Sequence, residues 1–339
     1  MIRRYWGDRV QKKNWVAFLV TLWLGLALVG CGQLSATQMV KQLQSVQNGI
    51  TSYKSTAFMT VHIQDGIQRY FVETWYQSPN LYRIALGNDN KEISQIIVHN
   101  AQGIYLISPG AKRVIRFQGD WAERQGHLYL YHSLIGKIVA AAEPQYSVKD
   151  KVLSFMVPTD PLNPLIGSQK VELAEGSYAP KQIILYDKQK QPVITMTYLT
   201  FQKGVTFGAG AFSPDQATTL KTIEMPVSTV EQGFGVVEPT FVPANDSLKD
   251  ESELNGTVYV RYAGQEPFTI VESRPQPGGL DLGAGQLLTL YGVPAVLIGS
   301  GGVHQMYWTH QGVQFQLTSD MKVSDMIQVA ASTLGGYGK

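Results

Sequence analysis

Apolar residues recur at two different periods along this chain, and the change between them marks its elements. From Thr37, the residues Met39, Leu43, Val46 and Ile50 follow at spacings of four, three and four. That is one face of a helix, with Gly49 near its end. The period then shortens to two. Met59, Val61 and Ile63 alternate with Thr60 and His62, and Tyr82, Ile84 and Leu86 alternate with Arg83 and Ala85. Further strand-like runs fall at 67–76, 93–99, 103–107 and 113–117, punctuated by Ser78-Pro79 and Pro109-Gly110. A helical face of Leu130, Leu134, Ile138 and Ala141 interrupts at 128–142, and strands return at 152–157, 169–174, 182–187 and 192–202. Consecutive strands with so little between them predict an antiparallel sheet rather than a doubly wound one.

After Pro214 the periodicity lapses, and 218–235 reads as a linker. A second unit, 236–339, opens with Pro239 and Pro243 and a charged stretch at 246–253 expected as a loop. Strands follow at 257–262, 268–272, 287–290, 294–298, 303–309 and 314–318, with His310-Gln311-Gly312 as the last turn. A final helix at 324–334 carries an apolar stripe of Met326, Ile327, Ala330 and Leu334.

The first thirty residues follow a different rule. Arg3, Arg4, Arg9, Lys12 and Lys13 precede an uncharged apolar run from Trp15 to Gly30, and Leu28-Val29-Gly30 then meets Cys31, the one cysteine of the chain. As a helix that run would reach about 24 Å, short of a hydrocarbon core of about 30 Å. A charged start, an apolar middle and small residues at a cut site make a secretory signal over 1–30. The Leu-Val-Gly-Cys end resembles the lipobox of bacterial lipoproteins. That resemblance implies a covalent diacylglyceryl group on Cys31 and a protein anchored to the outer face of the cytoplasmic membrane. Residues 31–36 would then be a short tether, holding the body close to the bilayer.

The formal charge of +2 comes from this segment, which has five basic residues and one acid; without it the chain is about two units negative. A near-neutral body with no Lys/Arg cluster lacks the footprint of a nucleic-acid binder. With no second cysteine, an exported fold must hold by packing alone.

Three segments in fixed order resemble the lipoprotein-carrier family, LolA and LolB. They are Trp75-Tyr76-Gln77-Ser78-Pro79-Asn80-Leu81-Tyr82-Arg83-Ile84, the hairpin from Ile96 to Pro109, and Ala211-Phe212-Ser213-Pro214. The resemblance covers 37–217. It implies an unclosed antiparallel β half-barrel with a helical lid, around an apolar cavity for the acyl chains of lipids or lipoproteins. Family positions lining that cavity match Tyr82, Ile84 and Ile97; the alternation adds Leu86, and the helical face adds Leu43 and Val46. One departure stands out. The family's arginine before the turn proline, which ties the lid shut, is Ser78 here, and alternation turns Arg83 away from Tyr82 and Ile84.

The second unit is similar to a small domain of unknown function in Gram-positive sporulation and germination lipoproteins and some anti-sigma-factor ectodomains. Tyr259-Val260-Arg261-Tyr262, Gly292-Val293-Pro294-Ala295 and Tyr307-Trp308 with Gly312, Phe315 and Leu317 carry that likeness. The whole is therefore expected to be an α+β chain: a LolA-like half-barrel plus a smaller α+β domain ending in a helix. Two functions fit. One is a carrier or chaperone binding acyl chains; the other is a regulatory module that docks another envelope protein without transporting anything. An enzyme is not expected, because no Gly-x-Ser-x-Gly elbow, His-Glu-x-x-His helix or phosphate-binding loop occurs. His127 and His132, five apart, do not converge on a metal, nor do His304 and His310; Asp160-Pro161 with Asn163-Pro164 makes a turn cluster. No cofactor or metal is expected beyond the lipid on Cys31.

Overall fold

Ser35 starts the first helix by local chemistry. Its hydroxyl accepts the Gln38 backbone N–H at 3.2 Å while the Ser35 N–H donates to the Gln38 carboxamide at 2.9 Å, a reciprocal cap. Helix α1 (Ala36–Asn48) then buries Met39 and Leu43. The computed structural model describes residues 34–63, 66–119, 128–141, 144–157, 159, 163–218, 235–300 and 302–335. The signal segment, Cys31, His127, Asp160-Pro161 and positions 219–234 of the expected linker lie outside the described residues.

Six strands follow α1: β1 (Ser52–Ile63), β2 (Gly66–Gln77), β3 (Leu81–Gly87), β4 (Ile93–Asn100), β5 (Gly103–Ser108) and β6 (Arg113–Phe117). Helix α2 (Tyr131–Ala140) comes next. Five more strands complete the run: β7 (Tyr146–Lys149), β8 (Val152–Val157), β9 (Ser168–Ala174), β10 (Pro180–Tyr186) and β11 (Pro192–Lys203). They form one open antiparallel sheet in the order β6-β5-β4-β3-β2-β1-β11-β10-β9-β8-β7. The sheet does not close on itself, as the resemblance to LolA and LolB implied.

Both α1 and α2 pack on one face of this sheet, in a core that draws on nearly every strand. They approach each other at Gly136, where a Cβ would lie 2.8 Å from the Gln47 carboxamide nitrogen. The Tyr53 hydroxyl accepts the Tyr131 N–H at 2.9 Å and so caps the start of α2. The opposite face, at Ala85, Ile96, Val98 and Ile107, is covered by the segment after β11, through Phe212 and the short helix α3 (Pro214–Thr218).

The second unit is a seven-stranded antiparallel sheet. Its strands are β12 (Ser247–Leu254), β13 (Thr257–Ala263), β14 (Phe268–Ser273), β16 (Gln286–Leu290), β17 (Val293–Ser300), β18 (Val303–His310) and β19 (Val313–Ser319). They run in the order β12-β13-β14-β19-β18-β17-β16, and α4 (Val323–Ser332) packs its Met326, Ile327 and Ala330 into that core.

Two expectations are corrected. The charged stretch expected as a loop is strand β12; it is a sheet edge exposed along its whole length, so neither face imposes alternation. The boundary between the units is also crossed. Strand β15 (Gly278–Asp281) leaves the second unit and pairs with β6, becoming the twelfth strand of the first sheet.

Candidate functional site

The structure brings the expected cavity residues together. Leu43, Tyr82, Ile84, Leu86 and Ile97 are all buried in the first core, with Val46 half-buried against it. β3 pairs with β4 so that Ile84 lies opposite Ile97, which puts both on one face. Leu134, Ile135 and Ile138 of α2 share that buried core, as do Met59, Phe117 and Tyr129. At one end the rings stack, Tyr53 on Tyr76 at 5.1 Å and Tyr76 on His132 at 4.0 Å. Burial pushes the His132 imidazole down to about 4, so it is neutral near pH 7. Burial likewise drives the Tyr82 phenol far above its usual range. Gln169 of β9, fully buried, has no hydrogen-bond partner for either carboxamide atom among the described residues.

Arg83 points to the other face, as alternation required. Its guanidinium meets Glu73 at 3.1 Å and lies 4.5 Å from the centre of the Trp75 ring, while Lys54 reaches Glu73 at 2.9 Å. Arg83 therefore belongs to a cluster outside the trough and makes no latch over it.

An open site lies between the two units instead, a groove of about 530 Å³. β2 runs past β3 here. Their pairing begins at Phe71↔Gly87, so Gly66–Arg69 keeps β1 on one side and lies beyond the end of the ladder with β3. Gln68, Arg69 and Tyr70 form one wall, the β3–β4 turn another, and Val293-Pro294 with Thr309–Gly312 the third. The polar groups on its floor are bonded to one another across the boundary. Tyr70 donates to the Gln68 carboxamide oxygen at 2.5 Å, and the Gln68 amide donates to the Leu334 carbonyl at 2.9 Å. Gln68 Nε2 also lies 3.3 Å from His310 Nε2, which can accept only as the neutral imidazole. Burial holds His310 down to about 4, consistent with that role. Gln95 donates to the Thr309 carbonyl at 2.8 Å, and the Tyr129 hydroxyl to the Gly292 carbonyl.

These bonds fix the units against each other and leave the exposed walls mostly apolar, with Arg69 and Glu92 as charged residues among them. Such a groove can hold an extended chain, with a strand edge on one side. Its one imidazole is already engaged by Gln68. No group of three or more His, Cys, Asp or Glu able to hold a metal occurs among the described residues. None of the helices described is long and apolar enough to cross a membrane.

Fold and groove together define a two-unit protein: an open antiparallel sheet around its own helices, clamped to a smaller helix-backed sheet. No family model matches the chain. Over 338 residues, 97% of this chain and 99% of the other, it is 27% identical to Sporulation protein YdcC of Bacillus subtilis (strain 168). Among solved structures, it is similar to a chain in the Pseudomonas aeruginosa MucA/MucB complex, with 12% identity, TM-score 0.32, and 88% and 97% of the two chains covered. It is also similar to a LolA superfamily protein from Nitrosomonas europaea, with 9% identity, TM-score 0.31, and 54% and 100% covered. The fold class itself rests on the strand order and the helix packing.

Of the groove residues, Leu86 was expected as a cavity residue, and the polar ones were missed in the sequence. Gln68, Gln95 and His310 come from three distant segments, and none stands in a motif. The interruption at 64–66, before β2 outruns its neighbour, was the one local cue.

Proposed function

We propose that this chain is a lipid-anchored, extracytoplasmic envelope protein that docks a protein partner in the groove between its two units. Similarity along nearly its whole length to a sporulation protein supports a place in that process. The observation that carries the docking reading is the stretch Gly66–Arg69 of β2, beyond the end of its ladder with β3, beside a mostly apolar groove. A backbone edge gives an extended partner segment its hydrogen bonds, and the apolar walls take alternate side chains.

The test is a photo-crosslinking residue placed at Gln311, in the groove, and separately at Met156, exposed on β8. In sporulating host cells, one discrete protein adduct at Gln311 and none at Met156 is expected. The same adduct at both positions, or none at either, would sink the reading.

A second reading keeps acyl chains as cargo, held by Leu43, Val46, Tyr82, Ile84, Leu86 and Ile97 once α1 and α2 swing away. The unpartnered Gln169 carboxamide favours it, since a buried polar group without a partner is costly and marks imperfect packing. Stoichiometric non-covalent lipid in the purified protein would decide for this reading.

A further inference from the structure

The arm that the second unit lends to the first sheet is weakly held. β15 meets β6 in parallel over four residues, Gly278↔Arg113 to Asp281↔Arg116, where every other ladder among the described residues is antiparallel. Parallel pairing is somewhat weaker per residue, and glycine weakens a strand further. The arm reads Arg274-Pro275-Gln276-Pro277-Gly278-Gly279, and Gly278, Gly279 and Asp281 are exposed. Its ion pair from Arg116 Nη1 to Asp281 Oδ2, at 2.9 Å, is open to solvent on both sides. Backbone bonds flank it, Gly278 N–H to the Lys112 carbonyl at 3.1 Å, Leu282 N–H to the Arg116 carbonyl at 2.9 Å and Gln118 N–H to the Gly283 carbonyl at 2.8 Å, and Leu280 and Leu282 pack only partly buried against the first core.

The edge beneath the arm has more to offer than the arm uses. Lys112, Arg113 and Arg116 make it basic, yet the arm answers with the single carboxylate of Asp281. Arg113 donates from Nη1 to the Gln276 carbonyl at 3.3 Å, while its buried Nε has no partner among the described residues. The site is also continuous with the groove. Pro275, at the root of the arm, lines it, as do Ser108, Gly110 and Ala111 just before β6.

We propose that β15 is an internal stand-in: an acidic, extended segment of a partner displaces Gly278–Asp281 and pairs with β6, its carboxylates answering Lys112, Arg113 and Arg116. The inference rests on the docking reading of the groove and adds the chemistry of the partner and a self-blocking strand. Strand addition to an open edge supplies main-chain bonds, and the charges supply the selectivity.

The test uses the full chain in detergent and a labelled synthetic copy of residues 276–284 carrying Gly279→Glu, which adds a second carboxylate. Asp281→Arg in the protein releases the arm by repulsion from Arg116. Val114→Cys with Gly279→Cys, which are register partners, locks it by a disulfide. Fluorescence anisotropy should show binding roughly tenfold tighter to Asp281→Arg than to the unaltered protein. The locked protein should bind only after reduction, and a peptide with Lys at both acidic positions should bind none of them. Bound peptide should slow hydrogen exchange at 113–117. Equal affinity for all three proteins overturns the inference. So does dimerisation of Asp281→Arg without peptide uptake, which makes a second copy the occupant. The two readings fail separately: a Gln311 crosslink that persists undiminished in the locked protein keeps the docking groove and rejects the displaced arm.

Discussion

Replacing Glu272 with Gln should remove the pH response that this carboxyl gives the second unit. Glu272 lies on β14 with its side chain out of solvent, and both carboxyl oxygens accept from one donor, the Val237 N–H, at 3.2 Å each. Burial raises its pKa from 4.5 to about 7; the Val237 bond opposes the rise and nearby Glu251 adds to it. Glu238 and Tyr262 complete the group of ionisable neighbours. The sign follows from which state binds the proton. Below the unfolded pKa both states are protonated and the group contributes nothing. As pH rises towards 7 the unfolded chain ionises first, so stability falls, and above 7 the loss is complete at about 3 kcal/mol. A glutamine keeps an acceptor for Val237 but leaves buried amide donors unpaired, a constant cost of about 1–2 kcal/mol. The variant should therefore be less stable than the unaltered protein at pH 5, more stable at pH 8, and equal to it between. Native-state hydrogen exchange of β13 and β14 amides, corrected for intrinsic exchange, reads this unit by itself. Parallel pH profiles for the two proteins would refute the reasoning.

Other outcomes follow from the same contacts. Leu43→Ala, at a fully buried site between α1 and the sheet, should cost about 2–5 kcal/mol in urea unfolding, because the fixed strands cannot collapse onto the gap. Gln95→Ala removes a bond to the Thr309 carbonyl across the boundary; a loss of about 1–2 kcal/mol and faster proteolysis between the units are expected. Gly292→Ala should destabilise by more than about 1 kcal/mol in the same unfolding assay, since its φ is +87° and a Cβ would sit 2.7 Å from the Met59 sulfur. Cys31→Ser should leave the protein unprocessed or released from membranes on fractionation; an unchanged, trimmed membrane product would count against the anchor.

Which features could be read from the sequence follows from how each is encoded. Strand β3 was legible because one buried face forces Tyr82, Ile84 and Leu86 inward and Arg83 outward. Helix α1 was legible through its apolar spacing, and Ser35 with Gln38 confirms its start. Strand β12 was not legible, because an edge exposed on both faces carries no period, and its charges imitate a loop. The arm at β15 was hidden for a related reason: its prolines and glycines are the residues of turns, and only the distant edge of β6 makes them a strand. The groove was hidden most deeply. Gln68, Gln95 and His310 are ordinary polar residues until the two units meet, when each supplies a bond that the other unit needs. Burial on one face repeats along the chain and can be counted, whereas a groove between units is specified by pairs separated by hundreds of residues. The same reasoning bears on function. The inward face of β3, which local pattern predicted well, lies in one buried core with residues of α1 and α2. The strand edges that local pattern could not predict, at Gly66–Arg69 and beneath β15, are the ones on which the proposed docking rests.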